Sequence, residues 1–333
     1  MWRTRRERLM NKTACKSGEL LLRTGDLEVR LRKPEVFSER FAQVGVVEQV
    51  TLHGKHCFCQ PEQKLMERAT CHGVGLCSEF VWDELAKEAA PGEFFPKLGV
   101  GLLRQRPEGG AYDMWKHYEV TPFPASVHIM EHKAVFEQEP IPCMGVAARL
   151  TRIVEVCRNL LTITTTLENT GERSLSLQEY QHNFVAVDDL PVGPGYRLEI
   201  PFDGSLEKIS ESTVRIEDYH TPVPGVIKTD GKVILWKKTM NQTACHKVTG
   251  QEKILPCDIY SWKMSHDDCE ASVSETVQFV PSGLVIWGIE HCMCAEVYGR
   301  WDVEPGERQT LVRTWRFEDN LTDKLFGTEM ERQ

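Results

Sequence analysis

Apolar and polar residues alternate in short stretches along most of this 333-residue chain, and clusters of Gly, Pro, Asn and Asp separate the stretches. A period of two sends successive side chains to opposite faces of an extended backbone, so the pattern predicts half-buried β-strands joined by turns. The strands expected early in the chain are Leu27–Leu31, Val44–Leu52, Lys97–Leu103, Val127–Met130, Gly145–Val154 and Leu160–Leu167. Later ones are Leu198–Ile200, Lys232–Trp236, Ile259–Trp262, Thr276–Val280, Val285–Ile289 and Thr310–Phe317. The β-branched run LLTITTTL, the turn Glu168-Asn169-Thr170-Gly171 and renewed alternation from Ser174 to Leu177 predict a hairpin. One segment departs from the pattern. Ser78–Ala90 sets Phe80, Val81, Leu85 and Ala89 on one side at helical spacing and stops at Pro91-Gly92, predicting a short helix. So many strands with so little helix predict an all-β fold, a sandwich of packed sheets. No Gly/Ser linker, low-complexity tract or fixed repeat interrupts it, so residues 19–333 are expected to form a single domain.

Residues 1–18 differ in character. They carry four arginines in the first eight positions with no apolar stretch of signal-peptide length behind them, and are expected to form a poorly ordered basic leader. The net charge of −9 argues against nucleic acid or an anionic membrane as partner, since both need a basic footprint. No run approaches eighteen consecutive apolar residues, the length of a membrane span. The expectation is a cytoplasmic protein, monomer or homodimer, with a ligand that is neutral or small. Twelve irregularly spaced cysteines without a secretory signal read as free thiols. Cys57-Phe58-Cys59 and Cys292-Met293-Cys294 each place two sulfurs on one strand face. With His53 and His56 the first pair offers zinc-type ligands, but it lacks CxxC spacing and a partner motif, so no metal is expected there. His128, Glu131 and His132 likewise lack matching third and fourth ligands.

Candidate chemistry lies in two stretches. Tyr180-Gln181-His182-Asn183-Phe184 ends a strand, and Pro191, Gly193, Pro194 and Gly195 force a shaped loop soon after it. A histidine at such a strand end is held in place, either as a satisfied core residue or as an acid catalyst. The second stretch places Glu296 among Cys, Met, Ala, Val and Tyr, where an ionised carboxylate is costly unless it is paired or used. Pairing with Arg300 or Arg313 on a sheet face is the plainer account. Strict alternation puts Glu290 on the face of Glu296, so Glu290 stands as the alternative base.

In chain order, Lys97-Leu98-Gly99-Val100-Gly101, Tyr180-Gln181-His182-Asn183-Phe184, Pro191-Val192-Gly193-Pro194, Cys294-Ala295-Glu296 and Pro305-Gly306-Glu307 form a set. This set resembles the galactose mutarotase-like superfamily, which includes the aldose 1-epimerases, and within it a branch marked by a Tyr-x-His-Asn-Phe motif. The resemblance spans Val44 to Phe317 and implies a β-supersandwich. It implies that His182 protonates the sugar ring oxygen as general acid while Glu296, as general base, takes the anomeric hydroxyl proton. The ring then opens, the aldehyde rotates and reclosure gives the other anomer. The partner implied is a small-molecule carbohydrate, and no cofactor is implied. The chain departs from the aldose 1-epimerases where they carry an Asn-Arg-Ile segment and a substrate-binding histidine in a His-Gly-Gly context. Its nearest equivalents are Lys97-Leu98-Gly99 and Cys71-His72-Gly73, and Val297-Tyr298 replaces a common Pro-Gln pair. Lys97, Glu79, Tyr180, Asn183, His72 and Trp287 are the expected substrate-binding residues, with Trp301 a further stacking candidate. Two rival readings are a non-catalytic carbohydrate-binding or sensing protein on the same fold, and a metal-dependent enzyme using His53, His56 and cysteines, or His128 and His132.

Overall fold

Alternating strands bury one row of side chains only when two sheets close on each other, and the burial pattern of the chain shows that closure. Leu160–Asn169 alternates half-buried and buried residues along its whole length, and Leu27–Leu31 does the same. The computed structural model describes residues 20–35, 38–64, 72–200, 214–221, 229–240, 244–248 and 260–319. The leader expected at 1–18 lies outside them.

One sheet runs β1 (Leu20–Arg23), β2 (Leu27–Leu31), β3 (Val47–Leu52), β5 (Leu76–Val81), β13 (Leu175–Asn183), β21 (Cys292–Val303), β20 (Gly283–Ile289), β17 (Ala244–Val248), with β4 (His56–Cys57) attached to β3. The opposing sheet runs β15 (Val214–Thr221), β16 (Thr229–Trp236), β14 (Tyr196–Ile200), β18 (Tyr260–His266), β19 (Cys269–Val277), β22 (Arg308–Asp319), β12 (Leu160–Asn169), β11 (Ala148–Cys157), β10 (Lys133–Gln138), β9 (Ala125–Ile129). A small third sheet, β6 (Phe94–Lys97), β7 (Gly101–Arg104) and β8 (Val120–Pro122), flanks them. All the pairings are antiparallel. Trp301, Trp315, Phe317, Phe136 and Leu161 are fully buried between the two large sheets, and burial of such a side chain contributes about 1.5–3 kcal/mol.

The all-β reading holds, and three local expectations are corrected. Leu160–Asn169 and Leu175–Asn183 are not hairpin partners: β12 pairs with β11 and β22, whereas β13 pairs with β5 and β21. The turn between them is a corner that carries the chain from one sheet to the other. Asn169 holds it, donating to the Arg173 and Val303 carbonyls at 2.9 Å while its Oδ1 accepts from Gly171 N–H. In the segment Ser78–Ala90, only α1 (Asp83–Glu88) is helical, because Ser78–Val81 pairs in register with β13. Lys97–Leu103 is not one strand: residues 98–100 form the turn of a hairpin between β6, which ends at Lys97, and β7, which starts at Gly101. Gly99 takes φ +79 there, and a Cβ on it would lie 2.7 Å from Ala42 Cβ.

Candidate active site

Register and alternation assemble the site on the face of the first sheet that points away from the second. β13 pairs Tyr180 with Glu79 and His182 with Cys77 of β5, and Tyr180 with Tyr298 of β21. β21 in turn sets Glu296 beside Val285 and Cys294 beside Trp287 of β20. Residues two apart share a face, so Glu79, Tyr180, His182, Glu296 and Trp287 line one surface although they are far apart in sequence.

At its centre, His182 Nδ1 lies 2.7 Å from Glu296 Oε1, with both residues 4% exposed. The distance is that of an ion pair, but the approach is off the hydrogen-bond axis, so Nδ1 has no aligned acceptor. Catalytic hydrogen bonds are often poorly aligned before substrate is bound. The imidazole stacks on Phe184, with centroids 4.8 Å apart and planes 6° from parallel, and meets the edges of Phe41 and Tyr180. Tyr180 on β13, Phe184 just after it and Phe41 from the loop before β3 thus fix its orientation.

Arg40 supplies the other side. Its guanidinium donates from Nε to Glu79 Oε2 (2.7 Å) and from Nη1 to Glu62 Oε1 (3.1 Å), and Nη2 lies 3.2 Å from His182 Nε2. A guanidinium only donates, so Nε2 is the acceptor and the ring proton sits on Nδ1, the nitrogen nearest Glu296 but not aligned with its Oε1. Glu79 is the hub of the polar cluster, accepting also from Lys97 Nζ (2.8 Å) and Tyr180 OH (2.6 Å). Burial alone would raise the Glu79 carboxyl, but Lys97 and Arg40 beside it hold it well below the usual carboxylate range. Burial, with Glu79 adding to it, pushes the Tyr180 phenol up, so it stays a donor. Burial, reinforced by Glu296, likewise keeps the neighbouring Cys294 a neutral thiol.

The remaining expected residues divide. Lys97 also donates to the Phe80 carbonyl and lies 4.2 Å from the Tyr112 ring centroid, at a surface crevice lined by Phe80, Trp82, Phe95 and Tyr112. His72 Nδ1 stands 3.6 Å from Glu62 Oε2 and joins the cluster through it. Half-buried Trp287 meets Phe184 edge-on at 5.7 Å. Asn183 does not join: it is one residue from His182 and therefore on the other face. There it donates to Glu275 Oε2 and the Ala295 carbonyl and accepts from Trp315 Nε1, within the inter-sheet core. Glu290 does not join either, because it lies exposed in the turn between β20 and β21, where alternation stops. Trp301 is wholly buried in the core, not a stacking floor. The expected ties of Glu296 to Arg300 or Arg313 are not formed; Arg300 pairs with Asp302, and Arg313 pairs with Glu179 and Glu275.

Sequence reasoning missed Arg40, Glu62 and Trp115. Trp115 is 61% exposed, with its ring 5.9 Å from the Arg40 guanidinium carbon. Only the charged Glu39-Arg40 pair inside an apolar stretch hinted at buried use of Arg40. The described cysteines are free, as expected, and exposed His128 and His132 lie on the β9–β10 edge without a shared ligand geometry.

No protein-family model matches the sequence, and none of the curated proteins compared with it does. Solved structures do match. A Synechocystis sp. PCC 6803 protein aligns with TM-score 0.54 and 12% identity over 92% of this chain and 98% of its own. A candidate aldose 1-epimerase from Escherichia coli K12 gives 0.53 and 12% over 90% and 98%. The chain has the galactose mutarotase-like fold. A galactose mutarotase-like protein from Clostridium acetobutylicum agrees, with TM-score 0.52 and 12% identity over 90% of this chain and 94% of its own. Identity this low speaks for the fold, and the fold is the β-supersandwich that the ordered motifs implied. No helix among the described residues is long and apolar enough to cross a membrane.

Proposed function

We propose that the protein is a mutarotase that interconverts the anomers of a free aldose through acid–base ring opening. The observation that carries this reading is the buried contact of His182 with Glu296, two groups suited to opposite proton transfers on one sheet face. An anomeric hydroxyl and ring oxygen are bonded to one carbon, so the acid and base that serve them have to be close neighbours. Glu296 takes the O1 proton, His182 delivers a proton to O5, the C1–O5 bond breaks and the aldehyde forms. After rotation about the adjacent C–C bond, O5 attacks the other face and the two protons return. Arg40 holds His182 Nε2 as an acceptor, so this contact has to yield and Nε2 has to take up a proton from solvent before the imidazolium donates it to O5. Arg40 and Lys97 then offer donors to sugar hydroxyls, and exposed Trp115 offers an apolar face at the mouth.

The Arg40 contact is also what favours the rival reading, a carbohydrate-binding or sensing protein in which His182 is permanently an acceptor. Exchange spectroscopy between anomers, run across a panel of neutral aldoses, separates the two. His182→Ala and Glu296→Ala are each expected to lower exchange at least about 10²-fold with the fold kept, which is the contribution of a positioned acid or base. Full exchange activity in both variants would falsify the assigned roles. Sugar binding without any exchange in the unmodified protein would favour the sensing role.

A further inference from the structure

A second polar cluster, which shares no residue with the acid–base pair, joins four separate segments. His56 of β4, Asp188 of the loop after β13, Cys269 at the start of β19 and Asp319 at the end of β22 meet there. His56 Nδ1 is 2.7 Å from Asp188 Oδ2, Asp188 Oδ2 is 3.4 Å from Cys269 Sγ, and Cys269 Sγ is 3.7 Å from His56 Nδ1. One nitrogen, one oxygen and one sulfur thus converge on a common point.

We propose that His56, Asp188 and Cys269 bind a zinc ion, with Asp319 holding the histidine in its ligating tautomer. A tetrahedral zinc with ordinary bond lengths has N···S and O···S edges of about 3.5 Å and an N···O edge of about 3.3 Å. The two edges to sulfur already fit, and the N···O edge opens by about 0.6 Å from its 2.7 Å when the metal replaces the hydrogen bond. On the far side of the ring, His56 Nε2 lies 3.3 Å from Asp319 Oδ2. A carboxylate on the second nitrogen is the usual partner of a metal-bound histidine, because it fixes the tautomer and raises the basicity of the ligating nitrogen. Asp188 is aimed in the same way: its Oδ1 accepts from Cys57 N–H at 3.0 Å, which turns Oδ2 toward the sulfur. Asp188 holds this pose at φ +54, a backbone region that a non-glycine residue adopts at some cost. His56 is buried while Asp188 and Cys269 are half-buried, so the fourth position faces solvent and takes a water molecule.

A Cys-His-Asp nucleophile is the competing chemistry for these residue types, and the geometry disfavours it. The Cys269 thiol donates to Asp188 Oδ2 at 3.4 Å, and His56 Nδ1, 3.7 Å from Sγ, is engaged with the same Asp188 oxygen at 2.7 Å, so the carboxylate competes with the imidazole for the thiol proton that activation requires. The neighbouring histidine of the HGKHCFC stretch takes no part, since His53 turns to Asp26 at 3.8 Å. A zinc ion here ties β4 of one sheet to β19 and β22 of the other, so its effect is on stability.

Cobalt titration of the full chain, stripped with chelator, tests the site, because cobalt bound to a thiolate shows a near-ultraviolet charge-transfer band. One cobalt per chain with that band is expected, and zinc is expected to displace it and raise the unfolding midpoint. Cys269→Ser is expected to abolish the band, His56→Gln and Asp188→Asn to weaken binding at least tenfold, and Asp319→Asn to weaken it about 10–100-fold. His182→Ala and Glu296→Ala are expected to retain the band, which separates this site from the His182, Cys294 and Glu296 donors. Circular dichroism checks that each variant folds. The assignment is overturned if the unmodified chain shows neither band nor zinc-dependent stabilisation, if the band survives in Cys269→Ser, or if it is lost in His182→Ala.

Discussion

Arg40 Nη2 lies 3.2 Å from His182 Nε2, and this contact sets the histidine's tautomer. With an obligate donor on Nε2, the ring proton belongs on Nδ1, where Glu296 waits at 2.7 Å. Nitrogen-15 NMR of the His182 ring is therefore expected to report an unprotonated Nε2 in the sugar-free protein. Saturating aldose is expected to change that signal as Arg40 is displaced. An Nε2–H tautomer in the sugar-free protein would refute the assigned hydrogen-bond direction.

Glu79 accepts from Arg40, Lys97 and Tyr180 while 1% exposed. Glu79→Gln leaves two buried cations short of a counter-charge and is expected to cost about 3–5 kcal/mol in denaturant unfolding. The pH dependence follows from the same carboxyl, which the two cations hold well below its ordinary value against the opposing effect of burial. The unfolded chain binds the proton more readily than the folded one, so Glu79 contributes stability above its unfolded pKa and loses it as pH falls toward the folded one. Urea unfolding from pH 7 down to pH 3 is expected to show a shallower acid loss in Glu79→Gln than in the unmodified protein. Parallel acid limbs would show that Glu79 is not the linked group.

Trp115 is exposed beside Arg40 at the mouth of the cluster. If it stacks on the sugar, Trp115→Ala removes a contact made equally in ground and transition states. The expected result is KM raised about 3–10-fold with kcat unchanged, measured by anomer exchange over a range of sugar concentrations. A fall in kcat at unchanged KM would place Trp115 in the chemical step instead.

Asn183 gives the complementary test. Its side chain joins Trp315, Glu275 and the Ala295 carbonyl inside the sandwich. Asn183→Ala is expected to lower unfolding free energy by about 1–3 kcal/mol for each buried group left unsatisfied, with kcat per folded molecule unchanged. Loss of kcat in a variant of unaltered stability would return Asn183 to the sugar site.

Period-two alternation was enough to predict an all-β chain, since it reports which residues an extended backbone can bury. The ordered motifs brought out His182 and Glu296 as a pair. Partner choice was not legible: LLTITTTL and the strand before His182 follow each other like hairpin arms, yet Asn169 turns a corner and sends them to different sheets. Alternation by itself also left open which face of β13 is the site. His182 and Asn183 are equally polar neighbours, and only the second sheet, by placing Trp315 and Glu275 under one face, decided that Asn183 is core. Arg40, 142 positions from His182, was beyond any local pattern. The sequence determined what each strand can bury and which side chains can do proton chemistry; tertiary structure alone brought Arg40 to His182 and His56 to Cys269. Sheet pairing and loop packing are long-range, and a contact between distant segments leaves no periodic trace in either of them.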